Sequence, residues 1–230
     1  HIGRFRGLGT RHGVQHWGDS SKQPRVSNAI YRRIYYYLTA DERVGGLMHA
    51  LLDGDRALVR VDIGRKIGAR RGAEPGNGAT VPASSLKPGE VALSFGTSWC
   101  SLVGAWLTEW ERTGDVRWRD RILAGMNSIA ALPKGWFAGG ADFDLASGRF
   151  TGAGNTVIIS HLNSVFGALE INSELFDLFD VPAYENAWLD YCEAYNAPAG
   201  EFAAKTGANP RGRNLRQGHS RLTAFAARHR

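Results

Sequence analysis

The residue types in this chain that can move protons or hold anions are grouped by position. His12, His16 and Arg25 precede the first predicted helix, with Trp17 beside them; Thr97 and Trp99 precede a second; His161 and Asn163 open a third; Gln217, His219 and Arg221 open a fourth. His1 stands further upstream of the first opening, while His49 and His229 lie elsewhere. Imidazole exchanges protons near neutral pH and guanidinium binds planar oxyanions, so the set suits acid–base chemistry on an anionic substrate. Trp17 and Trp99 serve equally well as plugs against a core or as platforms for a sugar face. A single histidine at a helix start is commonly a cap or a solvated side chain, and it is the convergence of the set that gives it weight.

Convergence requires elements that point the same way. The clearest is the stretch His161 to Asn196, where Leu162, Val165, Phe166 and Leu169 share one helix face and Phe176 and Phe179 continue the stripe. Asp180-Val181-Pro182 interrupts it, and the proline predicts a second helix from about Ala183, striped by Tyr184, Trp188, Tyr191, Cys192 and Tyr195. Two upstream segments repeat this hairpin plan. In the first, Ile30, Ile34, Tyr37 and Leu38 precede the turn Thr39-Ala40-Asp41, and Val44, Leu47, Met48, Leu51 and Leu52 follow it; in the second, Val103, Leu107 and Trp110 precede Thr113-Gly114-Asp115, and Trp118, Ile122, Met126 and Ile129 follow. Each turn ends on an aspartate placed to cap the next helix. A fourth copy starts at Ser220-Arg221-Leu222. The spacing is irregular, roughly 65 to 75 residues, so architecture repeats and sequence does not. If the first helix of each hairpin points the same way, the openings named above gather on one rim.

Between the hairpins, residues 1–23 lack apolar periodicity, and the first helix is expected from Pro24 or Arg25. Residues 53–93 are rich in glycine and proline and longer than a structureless loop normally runs, which marks them as functional or flexible. Ser94 to Trp99 lead into the second hairpin, residues 143–150 read as strand, turn and strand closed by Ser147-Gly148, and residues 197–217 read as a connector. The run Tyr35-Tyr36-Tyr37 spreads around a helix, so at least one ring faces the interior or the rim.

The 230 residues are 43% hydrophobic, which is ample for a core, and no apolar run is long enough to span a membrane as a helix. The net charge of +6 is concentrated in arginines near the C-terminus, an excess that suits a polyanion, whether nucleic acid or acidic polysaccharide, or simply a solvated tail. Cys100 and Cys192 read as buried free thiols, and no metal-ligand spacing is present. No phosphate-binding glycine loop with its lysine, no G-x-S-x-G elbow and no zinc signature occurs.

The segments RHGVQHWGD, PRVSNAIYRRIYYYLTADERVGGLMHALLD, AWLTEWERTGDVRWRDRILAGMNSIAALP and ISHLNSVFGALEINSEL resemble the α/α-toroid domain of the exo-rhamnogalacturonan lyase-like family. The resemblance covers nearly the whole chain, and HGVQHW and ISHLN are its more distinctive parts. It implies an all-α domain over residues 1–230, antiparallel hairpins forming part of an (α/α)n toroid with a small β-hairpin insertion. A full toroid needs more helices than are read here, so a fragment of a longer multidomain protein, secreted or periplasmic, is expected. The implied reaction is β-elimination on a uronate-containing, rhamnogalacturonan-like chain. By residue type, His16 or His161 is the base, Tyr35 the acid, and Arg25 with Asn163 or His12 holds the carboxylate. Trp17, Asn28, Trp99, His219 and Arg221 complete the binding surface. The expected partner is an acidic polysaccharide, with no nucleic acid and no membrane; no cofactor or metal site is expected, with a calcium requirement left open, and the oligomeric state is not legible. Two other functions fit the same scaffold. A glycoside hydrolase would use a facing pair among Asp19, Asp142, Asp144 and Glu170, in place of histidine and tyrosine near arginine. A non-catalytic carbohydrate-binding module would bind sugar without turnover.

Overall fold

A computed structural model describes residues 6–10, 22–24, 28–58, 87–152, 157–208 and 217–230. Its helices are α1 (Ala29–Thr39), α2 (Glu42–Ala50), α3 (Gly54–Ala57), α4 (Cys100–Thr113), α5 (Val116–Ala131), α6 (Leu162–Val165), α7 (Ala168–Leu178), α8 (Pro182–Asn196), α9 (Ala199–Thr206) and α10 (Gln217–His229). Strands β1 (Gly9–Thr10) and β2 (Lys22–Gln23) pair with each other, and β3 (Glu90–Ser94), β4 (Gly140–Asp144) and β5 (Phe150–Gly152) form an antiparallel sheet in that order. Among the described residues no helix is long and apolar enough to cross a membrane.

The α1–α2 and α4–α5 turns match bond for bond. Ala40 and Gly114 both take the left-handed conformation, and their N–H groups donate to Tyr36 O and Trp110 O. Thr39 and Thr113 each donate from Oγ1 to a carbonyl four residues back and accept from the N–H of Asp41 and Asp115. Those aspartates then cap the next helix by accepting from the N–H of Arg43 and Arg117.

Four boundaries differ from the sequence expectation. The first helix opens at Ala29, not at Pro24 or Arg25, because Asn28 caps it through Ile30 N–H. The first arm of the third hairpin is split into α6 and α7 at Phe166-Gly167, where Gly167 has φ 88° and packs against Ile30 and Asn28. A Cβ there would lie 2.7 Å from Ile30 Cδ1, so the close approach and the backbone angle both require glycine. Residues 199–206, expected as connector, form α9, anchored by buried Phe202 and Thr206. The segment 53–93 contributes α3 and β3, and its residues 59–86 lie outside the described part.

Contacts along the helices fix their directions. Ile30 meets Gly104, and Arg33 reaches Thr108 and Glu111, so α1 and α4 run parallel. Asn163 lies at Gly96 and Phe179 stacks on Trp110, which makes α6–α7 parallel to α4. Ser164 meets Gly218, Glu170 meets Arg221 and Phe176 meets His229, so α10 also runs parallel to α6–α7, and it lies antiparallel to α8. The first helix of every hairpin therefore points the same way. Buried Arg33 locks three of them together, pairing from α1 with Glu111 on α4 and Glu174 on α7 and donating to Thr108 Oγ1 at 3.3 Å.

The core is strongly aromatic. Trp99, Trp106, Trp136, Trp188, Tyr184 and Tyr191 are all fully buried, joined by Phe95, Phe143 and Phe202. Trp136 and Trp188 lie 4.4 Å apart, and Trp188 stacks on Tyr191 at 5.5 Å. A second buried ion pair, Asp55 with Arg121, ties α3 to α5, and the Arg121 guanidinium covers the rings of Trp106 and Phe143. Cys100 and Cys192 are buried free thiols, and burial pushes both well above the ordinary thiol range.

Candidate functional site

With the first helices parallel, their N-terminal ends meet at one rim. Asn28 ends the approach to α1, donating from Nδ2 to Phe166 O at 2.7 Å while its Oδ1 takes Ile30 N–H at 2.8 Å. The approach to α4 is a wide turn, Phe95–Trp99, closed by Cys100 N–H donating to Phe95 O. Gly96 in that turn leaves room for the Asn163 side chain, and the hydroxyls of Ser94, Thr97 and Ser98 are joined beside it. The approach to α6 is held from below by Tyr191, whose hydroxyl accepts from Ser160 N–H at 3.1 Å and Asn163 Nδ2 at 2.9 Å and donates to Ser160 O at 3.3 Å. Burial pushes that phenol well above its usual range, so it stays protonated. Gly218 in α10 packs against Ser164 Oγ and the Tyr195 ring.

On this frame three charged or titratable groups from three helices come together. Arg221, in the second turn of α10, donates to Ser164 O and pairs with Glu170, in the first turn of α7. Tyr31, in the first turn of α1, faces both of them. Its hydroxyl is shifted upward, first by partial burial and then by the Glu170 carboxylate, against the opposing pull of Arg221. Tyr31 is 47% exposed and the Arg221 side chain 41%, so the cluster is open to a ligand. Glu170 Oε2 is a buried oxygen without a hydrogen-bond partner among the described residues. His161 is half-buried at the start of α6, its carbonyl accepting from Ser164 Oγ at 2.7 Å. A phenol, a guanidinium and a carboxylate can together bind an anion and move a proton.

The residues singled out from sequence divide into three groups. His161 and Arg221 stand at the rim. Asn28 and Asn163 also stand there, but they are buried and committed to internal hydrogen bonds, so they position neighbours and present no free group to a substrate. Trp99 is corrected outright as a sugar platform: it is fully buried, edge-on to Phe150 and Tyr184, with Gly125 against its ring. Tyr35 is half-exposed and one turn beyond Tyr31 along α1, away from the Arg221 cluster. His12, His16, Trp17 and Arg25 lie outside the described residues, as does the His219 side chain, although its backbone belongs to the first turn of α10.

Tyr31 was missed, and the signal that identifies it is the Asn28 cap, which puts residue 31 in the first turn. From sequence alone Glu170 reads only as a hydrolytic acid. A separate acidic pair lies on the sheet, where Asp142 is shifted upward by burial and then by Glu90, with Lys87 opposing. Among the described residues no group of three histidine, cysteine, aspartate or glutamate side chains is arranged to hold a metal.

Over residues 1–230 the chain matches the family described as PcRGLX-like protein C-terminal alpha/alpha toroid domain. It is 31% identical over 229 residues, 99% of its own length, to "Uncharacterized protein YetA" of Bacillus subtilis (strain 168), and it spans 24% of that relative. The chain belongs to this rhamnogalacturonan lyase-like toroid family.

Proposed function

We propose that this toroid domain serves a polysaccharide lyase that cleaves a uronate-containing, rhamnogalacturonan-like chain by β-elimination at the rim. The observation that carries the reading is the meeting of Tyr31, Glu170 and Arg221, drawn from three parallel helices at the end where their N-termini gather. The positive dipole ends of those helices add to the attraction for an anionic sugar. In this reading Arg221 takes the uronate carboxylate, which lowers the barrier to removing the proton on the adjacent carbon. His161, or His16, accepts that proton as base. As the carbon–oxygen bond to the leaving sugar breaks and the ring double bond forms, Tyr31 donates its proton to the leaving oxygen. An upward-shifted phenol suits the acid role because it holds its proton until the leaving oxygen becomes basic. Glu170 and the Ser164 carbonyl orient Arg221 from behind. A polymeric substrate of this kind calls for a secreted or periplasmic site of action.

A hydrolytic alternative is favoured by one observation, the Asp142–Glu90 pair, in which burial first and the Glu90 carboxylate second raise Asp142 as an acid catalyst requires. The test is to incubate the full-length protein with rhamnogalacturonan and other uronate polymers while following ultraviolet absorbance of the unsaturated uronate and release of reducing ends. The lyase reading expects an absorbance rise that Arg221→Ala, Tyr31→Phe and His161→Ala each diminish. Reducing ends without absorbance, lost in Asp142→Asn, would establish hydrolysis instead. Binding without either signal would leave a carbohydrate-binding module.

A further inference from the structure

Helix α6 is a single turn, Leu162–Val165, ended by the break at Phe166-Gly167. A turn this short does not sustain itself, because ordering its backbone costs more than its few internal hydrogen bonds contribute. Those bonds run from Asn163 N–H to Ser160 O at 3.2 Å and from Ser164 N–H to His161 O at 2.9 Å. Further support comes from α8, where Tyr191 is fully buried. Its hydroxyl accepts from Ser160 N–H at 3.1 Å and Asn163 Nδ2 at 2.9 Å, and donates to Ser160 O at 3.3 Å. The one proton and both lone pairs of that oxygen are used, so the entry to α6 and its second residue are tied to a single atom. On its other side Asn163 fills the space left by Gly96. The next residue, Ser164, is the one whose carbonyl accepts from Arg221.

We propose that Tyr191 is a positioning residue of the rim: without touching substrate, it holds α6 so that the Ser164 carbonyl aims the Arg221 guanidinium at the substrate carboxylate. That role rests on the lyase reading for the task of Arg221 and on the hydrogen bonds for the task of Tyr191. Removing the hydroxyl strips three bonds from a four-residue turn, which shifts to find new partners and carries Ser164 O with it. Glu170 then holds the guanidinium from one side only, and the guanidinium pivots on that contact. Tyr184 supplies the contrast. It lies two turns earlier on α8, is equally buried, and donates to Asn172 Oδ1 at 2.6 Å. Asn172, however, belongs to α7, an eleven-residue helix with a backbone ladder of its own.

Tyr191→Phe is compared with Tyr184→Phe in the full-length protein, and Asn163→Ala, for which the same changes are expected as for Tyr191→Phe, serves as a second probe if that variant misfolds. Hydrogen–deuterium exchange over residues 158–166, read by mass spectrometry, is expected to be about tenfold or more faster in Tyr191→Phe and unchanged in Tyr184→Phe. Both variants are expected to unfold at lower urea than wild type. On a uronate polymer, kcat/KM of Tyr191→Phe is expected to fall about tenfold in the wild-type background and less than about twofold when Arg221 is already alanine. A loss that came only from a weakened core would be equal in the two backgrounds. Unchanged exchange in Tyr191→Phe would overturn the proposal, as would faster exchange with kcat/KM intact or an equal loss in both backgrounds. If wild type raises no absorbance, the lyase reading is what fails, and the exchange comparison alone decides whether Tyr191 holds α6.

Discussion

Glycine-to-alanine substitution at two helical positions should change stability in opposite directions. Gly125 lies within α5 and Gly46 within α2, both with ordinary helical backbone, so alanine gains about 0.8–1 kcal/mol of helix propensity at either site. At Gly46 an added Cβ meets nothing within 4 Å, and that gain is expected in full or nearly so. At Gly125 it would lie 2.7 Å from Trp99 Cζ2 and Nε1 and 2.8 Å from Cε2. The indole cannot withdraw, being fully buried and fixed edge-on by Phe150 and Tyr184. Overpacking of this kind costs about 1–3 kcal/mol, so Gly125→Ala should destabilise by up to about 2 kcal/mol after the propensity gain is subtracted. Urea unfolding followed by tryptophan fluorescence measures both, with the midpoint expected to rise for Gly46→Ala and to fall for Gly125→Ala at unchanged slope. A Gly125→Ala variant as stable as Gly46→Ala would refute the placement of Trp99 as a core plug.

Other perturbations follow from the ion pairs and the rim. Asp55→Asn leaves the largely buried Arg121 without its counter-charge and should cost about 3–5 kcal/mol in the same assay; a loss below about 1 kcal/mol would contradict the pairing. Asp142 is raised in the folded state, so the native protein binds its proton more tightly than the unfolded chain. Its contribution to stability accordingly falls as pH climbs from the ordinary aspartate value through the raised one. Asp142→Asn should therefore melt higher than wild type at neutral pH, and the advantage should vanish below the ordinary aspartate range; a wild-type advantage at neutral pH would count against it. The Arg221–Glu170 pair is partly exposed, so Arg221→Ala should cost about 1 kcal/mol or less in stability. Turnover of a uronate polymer should meanwhile fall about 100-fold or more, with partial recovery in Arg221→Lys. Equal activity in the alanine variant would remove Arg221 from the chemistry.

The hairpin plan was legible because local signals agreed at the turns. Threonine, a left-handed residue and a capping aspartate recur at 39–41 and 113–115, and each makes the hydrogen bond its type suggests. Gly167 was not legible as a break, because the stripe Leu162, Val165, Phe166 and Leu169 runs across it and an isolated glycine is tolerated in a helix. What forces the break is Ile30 pressed against it from another hairpin, a contact distant in sequence. Strand β3 spans only five residues within a glycine- and proline-rich stretch, and α9 buries only Phe202 and Thr206 among its eight, so both were too short for periodicity to register. The choice of Tyr35 rested on residue type. Four residues along a helix amount to about 6 Å, enough to separate the tyrosine that meets Arg221 from one that does not.

The polar residues at the rim also show why type and place together do not identify a catalytic group. Asn28 and Asn163 sit where the sequence placed them, yet Asn28 spends its oxygen on the α1 cap and its amide on Phe166, and Asn163 is pinned by Tyr191. To serve a substrate, either would have to abandon a buried partner and leave it unsatisfied, at a cost of about 1–3 kcal/mol. Arg221 differs because its partners, a carbonyl and a half-exposed carboxylate, lie to one side of a guanidinium that solvent still reaches. A uronate carboxylate can approach that open side without breaking the internal frame. The same distinction separates Tyr191, whose hydroxyl is fully used beneath the rim, from Tyr31, whose hydroxyl stands beside charge and water. The buried Arg33 pairs and the Tyr191 network hold the helix ends at fixed spacing, and the groups left free on that frame are the ones available for chemistry.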